Sequence, residues 1–217
     1  MKPLVEQYIA SIPGNAKKAT KKAVINESLG MGKGTKTDEF TYKMETPQTT
    51  AAIISFADME YTDKNQNIAS IAGQIMSARF VSTIREKEGA VYSIGARGSM
   101  SRIANEPVVL QTKFPMKPEL KEKVLGMIKA EFVNMESNIT EEEFNKVKEF
   151  MVKNAVEAKE KNSSWMRALT GFQLNGVDTF NKSIETLNSI TVEDVQNFMK
   201  AVNKQGNYRV VILDPAE

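Results

Sequence analysis

Apolar and polar positions change their spacing several times along the chain, and each change predicts an element. Leu4, Tyr8 and Ile12 recur at i, i+4 behind Pro3, which predicts a short helix from Pro3 to Ile12, closed by Pro13-Gly14-Asn15. Ala16 to Thr37 is poor in large apolar residues. It carries Lys17, Lys18, Lys21 and Lys22 together with Gly30, Gly32 and Gly34, and reads as a linker. From Glu39 the period becomes two: Phe40, Tyr42 and Met44 alternate with polar residues, as in a half-buried strand. Beyond Pro47, Thr50 to Ala57 is almost continuously apolar and reads as a deeper strand.

Thr62 or Asp63 is placed to cap a long helix, whose apolar stripe is Ile68, Ile71, Ala72, Ile75, Met76, Phe80 and Ile84, and which runs to about Lys87. Tyr92, Ile94 and Ala96 share one face of a predicted strand, and Val108, Leu110, Thr112 and Phe114 one face of another. The polar stretch from Gly98 to Pro107 joins them as a hairpin. Helical spacing then returns. Pro118 opens a helix bearing Leu120, Val124, Met127, Ile128 and Phe132, and Thr140 with Glu143 forms a capping box ahead of Phe144, Val147, Met151 and Ala155. A further helix around Trp165, Leu169 and Phe172 is expected to pack in the helical layer and to end near Asn175-Gly176. Thr191 and Asp194 cap a last helix with Val195, Phe198, Met199 and Val202, and Tyr208 to Leu213 is a final strand.

Paired strands with helices gathered on one side predict an α+β fold, a two-layer sandwich of a mainly antiparallel sheet with helices packed on one face. Charged residues make up 26% of the 217 positions and hydrophobic residues 41%, a soluble globular composition, and the formal net charge of +2 gives no case for nucleic acid as a partner. No apolar run approaches the ~20 residues of a membrane span. Histidine and cysteine are both absent, which excludes Ser-His and Cys-His nucleophile systems, thiolate chemistry and the usual zinc ligand sets within this chain. The compartment stays open between bacterial periplasm and cytoplasm.

Two apparent motifs dissolve on inspection. Glu141-Glu142-Glu143 occupies adjacent helix positions that point apart, and acidic residues belong in a first helical turn. Gly30-Met31-Gly32-Lys33-Gly34-Thr35 lacks the spacing and the feeding strand of a phosphate loop. Gly95-Ala96-Arg97-Gly98 reads as close packing or a bulge. What remains is Arg85 and Tyr92, one guanidinium and one phenol on either side of a helix-to-strand corner. Two readings of the pair stand side by side. Arg85 pairs with a neighbouring glutamate while Tyr92 is an ordinary strand aromatic, or both face one point, where a guanidinium clamps a carbonyl and a phenol donates to a developing oxyanion.

The stretch Ser77-Ala78-Arg79-Phe80-Val81-Ser82-Thr83-Ile84-Arg85-Glu86-Lys87-Glu88-Gly89-Ala90-Val91-Tyr92-Ser93-Ile94-Gly95 resembles the M16 metallopeptidases, the pitrilysin, insulinase and mitochondrial-processing-peptidase group. It follows the Arg-Glu-Lys…Tyr-Ser-Ile signature of their C-terminal, non-zinc module, and the resemblance runs from about Thr37 to Leu213. It implies the LuxS/MPP-like metallohydrolase type of fold. Lys2 to Pro13 is similar to the closing helix of a preceding M16 module. By this resemblance the chain divides into a terminal helix of that module (1–13), a linker (14–36) and a C-terminal-type domain (37–217), and is a fragment of a longer protease.

The family's zinc site is an inverted His-x-x-Glu-His motif with a distal Glu on an N-terminal module, which no position here can match. The resemblance therefore implies no cofactor in this chain and zinc in the parent protein, with the zinc-bearing module, fused or separate, as partner and a peptide as substrate. Arg85 would hold the substrate backbone and Tyr92 would hydrogen-bond the scissile carbonyl, while the isolated chain would be inactive. A degenerate relative serving only as scaffold or assembly subunit is the alternative. A peptide-binding domain using a free sheet edge is a third reading.

Overall fold

The computed structural model describes residues 2–11, 30–102 and 107–216. In chain order the elements are a helical turn α1 (Lys2–Val5) that widens into a π-helical turn (Glu6–Ala10), strands β1 (Thr35–Tyr42) and β2 (Thr49–Ala57), and helix α2 (Asp63–Phe80), which continues as π-helix (Val81–Lys87). Strands β3 (Ala96–Ser99) and β4 (Val108–Met116) follow, then α3 (Lys121–Asn134), α4 (Glu141–Ala158), α5 (Asn162–Asn175), α6 (Ser183–Asn188), α7 (Val192–Lys204) and β5 (Asn207–Pro215). The strands form one sheet in the order β1-β5-β2-β4-β3. Only β1 and β5 run parallel; the other neighbours are antiparallel, so the α+β, mainly antiparallel architecture holds.

One face of the sheet carries the core. Ala51, Ile53, Leu110, Phe114, Val210 and Ile212 are buried against the stripe of α2 (Ile68, Ile71, Ala72, Ile75, Met76) and the inner sides of α3 and α7. Capping fixes where the helices start. Thr62 accepts the amide of Asn65 (2.9 Å), and reciprocal capping boxes join Thr140 to Glu143 and Thr191 to Asp194. Asp214 fastens the end of β5, accepting from Thr49 Oγ1 (2.5 Å) and pairing with Lys121 (2.8 Å).

Helix α2 lies directly on strand β3. A Cβ atom added at Gly73 would stand 2.2 Å from the Gly98 amide nitrogen, and one at Gly98 would stand 1.8 Å from the Ala69 carbonyl oxygen. Neither clash is with a flexible side-chain end, so only glycine permits this separation. The Gly95–Gly98 stretch is thus close packing, as expected.

Several expectations are corrected. Phe40 and Tyr42 do lie in a strand, but they are exposed, because β1 is an edge strand and both stand on the face opposite the helices. That strand begins at Thr35, inside the stretch assigned to a linker. Arg209 draws the chain in there, donating to the carbonyls of Met31 (3.0 Å), Gly32 (2.6 Å), Lys33 (3.3 Å) and Gly34. Trp165, Leu169 and Phe172 are exposed rather than packed in the helical layer, and Leu4 and Tyr8 of α1 are exposed as well. The helix expected from Pro118 opens as a 3-10 turn (Pro118–Leu120) before the regular helix α3. Ile12, Pro13, the lysines at 17, 18, 21 and 22, and the hairpin turn at 103–106 lie outside the described residues.

Gly98→Ala is expected to lower stability by at least ~2 kcal/mol, since overpacking against backbone cannot relax by rotamer change. The control Gly126→Ala, with open space around its Cβ position, should leave stability unchanged or slightly raised. Urea unfolding of the two variants checks this, and equal midpoints would contradict the packing argument.

Candidate functional site

The candidate site is the corner where α2 ends. Val81, Thr83 and Ile84 are β-branched and disfavour a tight α-helical register, and the Thr83 hydroxyl donates to the Arg79 carbonyl (2.7 Å). Here the helix widens to π geometry, a form that recurs at functional sites. It closes with a left-handed glycine cap. The Gly89 amide donates to the Arg85 carbonyl and the Ala90 amide to the Ile84 carbonyl, both at 3.1 Å, with Gly89 at φ +58°. Ile84 is fully buried on one side of the turn, and Ala90, Val91 and Ile94 are buried on the other.

Arg85 and Tyr92 project from this anchored turn into solvent, Tyr92 at 88% exposure. Among the described residues neither the Arg85 guanidinium nor the Tyr92 hydroxyl makes a hydrogen bond or ion pair, so the reading in which Arg85 pairs with a neighbouring glutamate is set aside. The strand expected to carry Tyr92 is also corrected, for β3 starts only at Ala96. If the β3–β4 ladder continued in register, Ser93 would stand opposite Pro115, which has no amide hydrogen to contribute. Buried Ala90 and Val91 also turn the chain towards the core just before it. Tyr92 therefore sits on an irregular segment tied down at its far end, where the Thr112 hydroxyl donates to the Gly95 carbonyl (2.7 Å).

Two hollows flank the corner. A cleft of about 330 Å³ is lined by Pro47, Gln48, Val91, Tyr92, Pro115 and Lys117, and Arg85 does not line it. A larger groove of about 810 Å³ runs between α2 and α4, with Ala78, Val81, Val147 and Phe150 as its apolar wall and Glu86 at one end.

Sequence reasoning missed the residue that holds the corner in place. Arg79 donates from Nε to Glu143 (2.8 Å), from Nη1 to Glu131 (2.5 Å), and from Nη2 to Glu143 (2.9 Å) and the Asn138 carbonyl. One guanidinium thereby joins α2, α3 and α4, with its side chain only 12% exposed. The signal was present: Arg79 falls at i+4 from Ile75 and i+3 from Met76, a charge within an apolar stripe. Hydrogen bonding to Arg79 outweighs desolvation and holds the Glu143 carboxyl down at about 2. Glu143 is therefore a capping and ion-pair residue. Among the described residues no three His, Cys, Asp or Glu side chains are grouped to hold a metal ion, and the chain's residues do not fit the family's zinc.

The sequence model of the peptidase M16 inactive domain family matches residues 1–151, and the chain belongs to that family. Its fold is shared with solved structures of low sequence identity. A variant of the ferredoxin protease FusC, crystallised in complex with Arabidopsis ferredoxin, matches at TM-score 0.75 and 19% identity over 99% of this chain and 23% of that one. A protease from Helicobacter pylori matches at TM-score 0.73 and 14% identity over 99% of this chain and 52% of that one. A peptidase M16 inactive domain from Pseudomonas fluorescens matches at TM-score 0.68 and 16% identity over 85% of this chain and 44% of that one. The chain spans about half or less of the length of each. No curated protein sequence matches it.

Arg79→Ala leaves two carboxylates unpaired and is expected to cost ~3 kcal/mol of stability. The sign of the pH effect follows from Glu143, whose folded value of about 2 lies below its ordinary 4.5. Its contribution is complete above 4.5 and is lost as pH falls from there towards 2. Unfolding midpoints measured between pH 7 and pH 2.5 should therefore fall more steeply for the parent than for Arg79→Ala. Parallel curves would exclude the pair as the source.

Proposed function

We propose that the domain is the non-catalytic, substrate-positioning half of an M16 zinc peptidase and acts on a peptide held against a zinc module elsewhere in the parent protein, whether fused or separate. The observation that carries this is the unpartnered pair at a rigid corner. Among the described residues, Arg85 and Tyr92 are exposed and free of intramolecular hydrogen bonds and ion pairs, yet the turn between them is pinned by Ile84, Ala90 and Val91. An exposed arginine with no structural partner on an immobile base is preorganised to bind something outside the domain.

In this reading Arg85 donates to main-chain carbonyl oxygens of an extended peptide. Tyr92 donates its O–H to the scissile carbonyl oxygen, where negative charge grows as the carbonyl carbon becomes tetrahedral. Neither residue changes its protonation state, and neither supplies the nucleophile. The absence of histidine and cysteine from the sequence supports a metal centre on another module. The description of two structural neighbours as proteases, one of them bound to a protein, supports a peptide as the ligand class.

The test is peptide cleavage by the parent protein containing the zinc module. Tyr92→Phe should lower kcat by about 10²–10³-fold, the usual loss of one oxyanion donor. Arg85→Ala should lower kcat/KM, and both variants should melt with the parent because both side chains are exposed. Cleavage at the parental rate by both would leave the scaffold role as the domain's function.

A further inference from the structure

The cleft beside Tyr92 has a one-sided chemistry that holding a peptide backbone does not use. Its walls are apolar, with Pro47 on the β1–β2 connection, Val91 at the corner, and Pro115 and Met116 at the end of β4. Its polar lining residues are Gln48, Tyr92 and Lys117, whose side chains all carry hydrogen-bond donors, and no acidic residue lines it. Lys117 stands on a fixed base. It follows the buried Met116 and precedes Pro118, which restricts it to extended backbone (φ −70°, ψ 135°), and its carbonyl accepts the Leu120 amide (3.0 Å). Among the described residues its ammonium group makes no hydrogen bond or ion pair. The lysines that follow it are neutralised instead: Lys123 pairs with Glu88 of the corner, and Lys121 with Asp214 (2.8 Å). An unpaired cation on the wall of an apolar cleft that offers donors and no acid selects an anion.

We infer that Lys117 is a specificity-determining residue, which receives a carboxylate carried by the peptide close to the carbonyl that Tyr92 holds. This rests on the reading that the corner positions a peptide. Three features select the occupant. Tyr92 is itself part of the cleft, so a group seated there belongs to a residue near that carbonyl. At about 330 Å³ the cleft is at the lower limit of small-ligand sites, with room for one side chain and its peptide unit and too little for a helix about 10 Å across. The other hollow at the corner, between α2 and α4, has Glu86, Glu142, Glu143 and Lys146 as its charged lining residues, a balance that disfavours a carboxylate and leaves the Tyr92 side to take it. An acidic side chain and a free C-terminus present the same chemistry to Lys117.

Peptide titration of the 217-residue chain tests this, followed by NMR through the backbone amides of Gln48, Gly89 to Tyr92 and Lys117. The probes are alanine–valine pentapeptides capped at both ends, with glutamate, glutamine or lysine at the centre, and the glutamine peptide again with a free C-terminal carboxylate. The glutamate peptide should bind about fivefold tighter than its capped glutamine counterpart, the upper end for an exposed ion pair, and the margin should shrink as salt is raised. Lys117→Gln should abolish the margin, Lys117→Arg should keep it, and Lys117→Glu should reverse it in favour of the lysine peptide. A margin confined to the glutamate peptide assigns the carboxylate to a side chain, and one shared by the free C-terminus assigns it to the chain end; both support the site. Equal affinities, a margin that survives Lys117→Gln, or no shift with any peptide overturns it. Corner amides that shift equally with every peptide sink the role of Lys117 alone. A margin that tracks Lys117, with undiminished cleavage by the Arg85 and Tyr92 variants of the parent protein, sinks the positioning reading and leaves the carboxylate site.

Discussion

The contact between Gly73 on α2 and Gly98 on β3 is the constraint on which the rest of the structure depends. With no Cβ on either residue, the long helix settles onto the strand at backbone distance, and its axis relative to the sheet is set by main-chain atoms rather than by rotamers. From that axis the other features follow. The stripe from Ile68 to Phe80 faces the sheet, and Arg79, two residues before the helix widens, reaches Glu131 on α3 and Glu143 at the start of α4. A guanidinium that closes three helices at once stiffens the helical layer at the point where α2 ends. The left-handed turn at Gly89 then converts a buried helix into an exposed corner within a few residues.

That sequence of constraints explains how an exposed arginine and tyrosine can still be well placed. Long surface side chains lose their geometry to entropy unless their backbone is fixed. Here the backbone between Arg85 and Tyr92 is fixed from both sides, by Ile84 before the turn and by Ala90 and Val91 after it. The corner supplies hydrogen-bond donors and charge but no histidine or cysteine. A domain of this composition fits the inactive-domain family to which the chain belongs.

Much of this was legible in the chain before any coordinates. The strands at Thr49–Ala57 and Val108–Met116, the long capped helix, the Thr140 and Thr191 capping boxes and the corner at Gly89 all follow from local rules of spacing, capping and glycine use. So does the class of fold. Local rules failed where an element's environment was set by its position in the sheet or layer. Phe40 and Tyr42 alternate as a half-buried strand should, but β1 lies at the edge, on the face without helices. Trp165, Leu169 and Phe172 have the spacing of a core helix, and the pattern cannot say which way the stripe points. Tyr92, Ile94 and Ala96 alternate as a strand, but pairing with β4 stops at Ala96 opposite Thr112, which only the register reveals.

The sequence by itself determined the elements, the layer architecture and the exclusion of histidine- and cysteine-dependent chemistry, because these depend on residue type and on spacing within a few turns. The tertiary structure decided that Arg79, not only the capping box, secures the helical layer. It also decided that, among the described residues, Arg85 and Tyr92 have no hydrogen-bond or ion-pair partner, and that α5 turns its apolar side outward. Each of these depends on which residues distant in sequence come within a few ångströms of one another, and no local pattern encodes that.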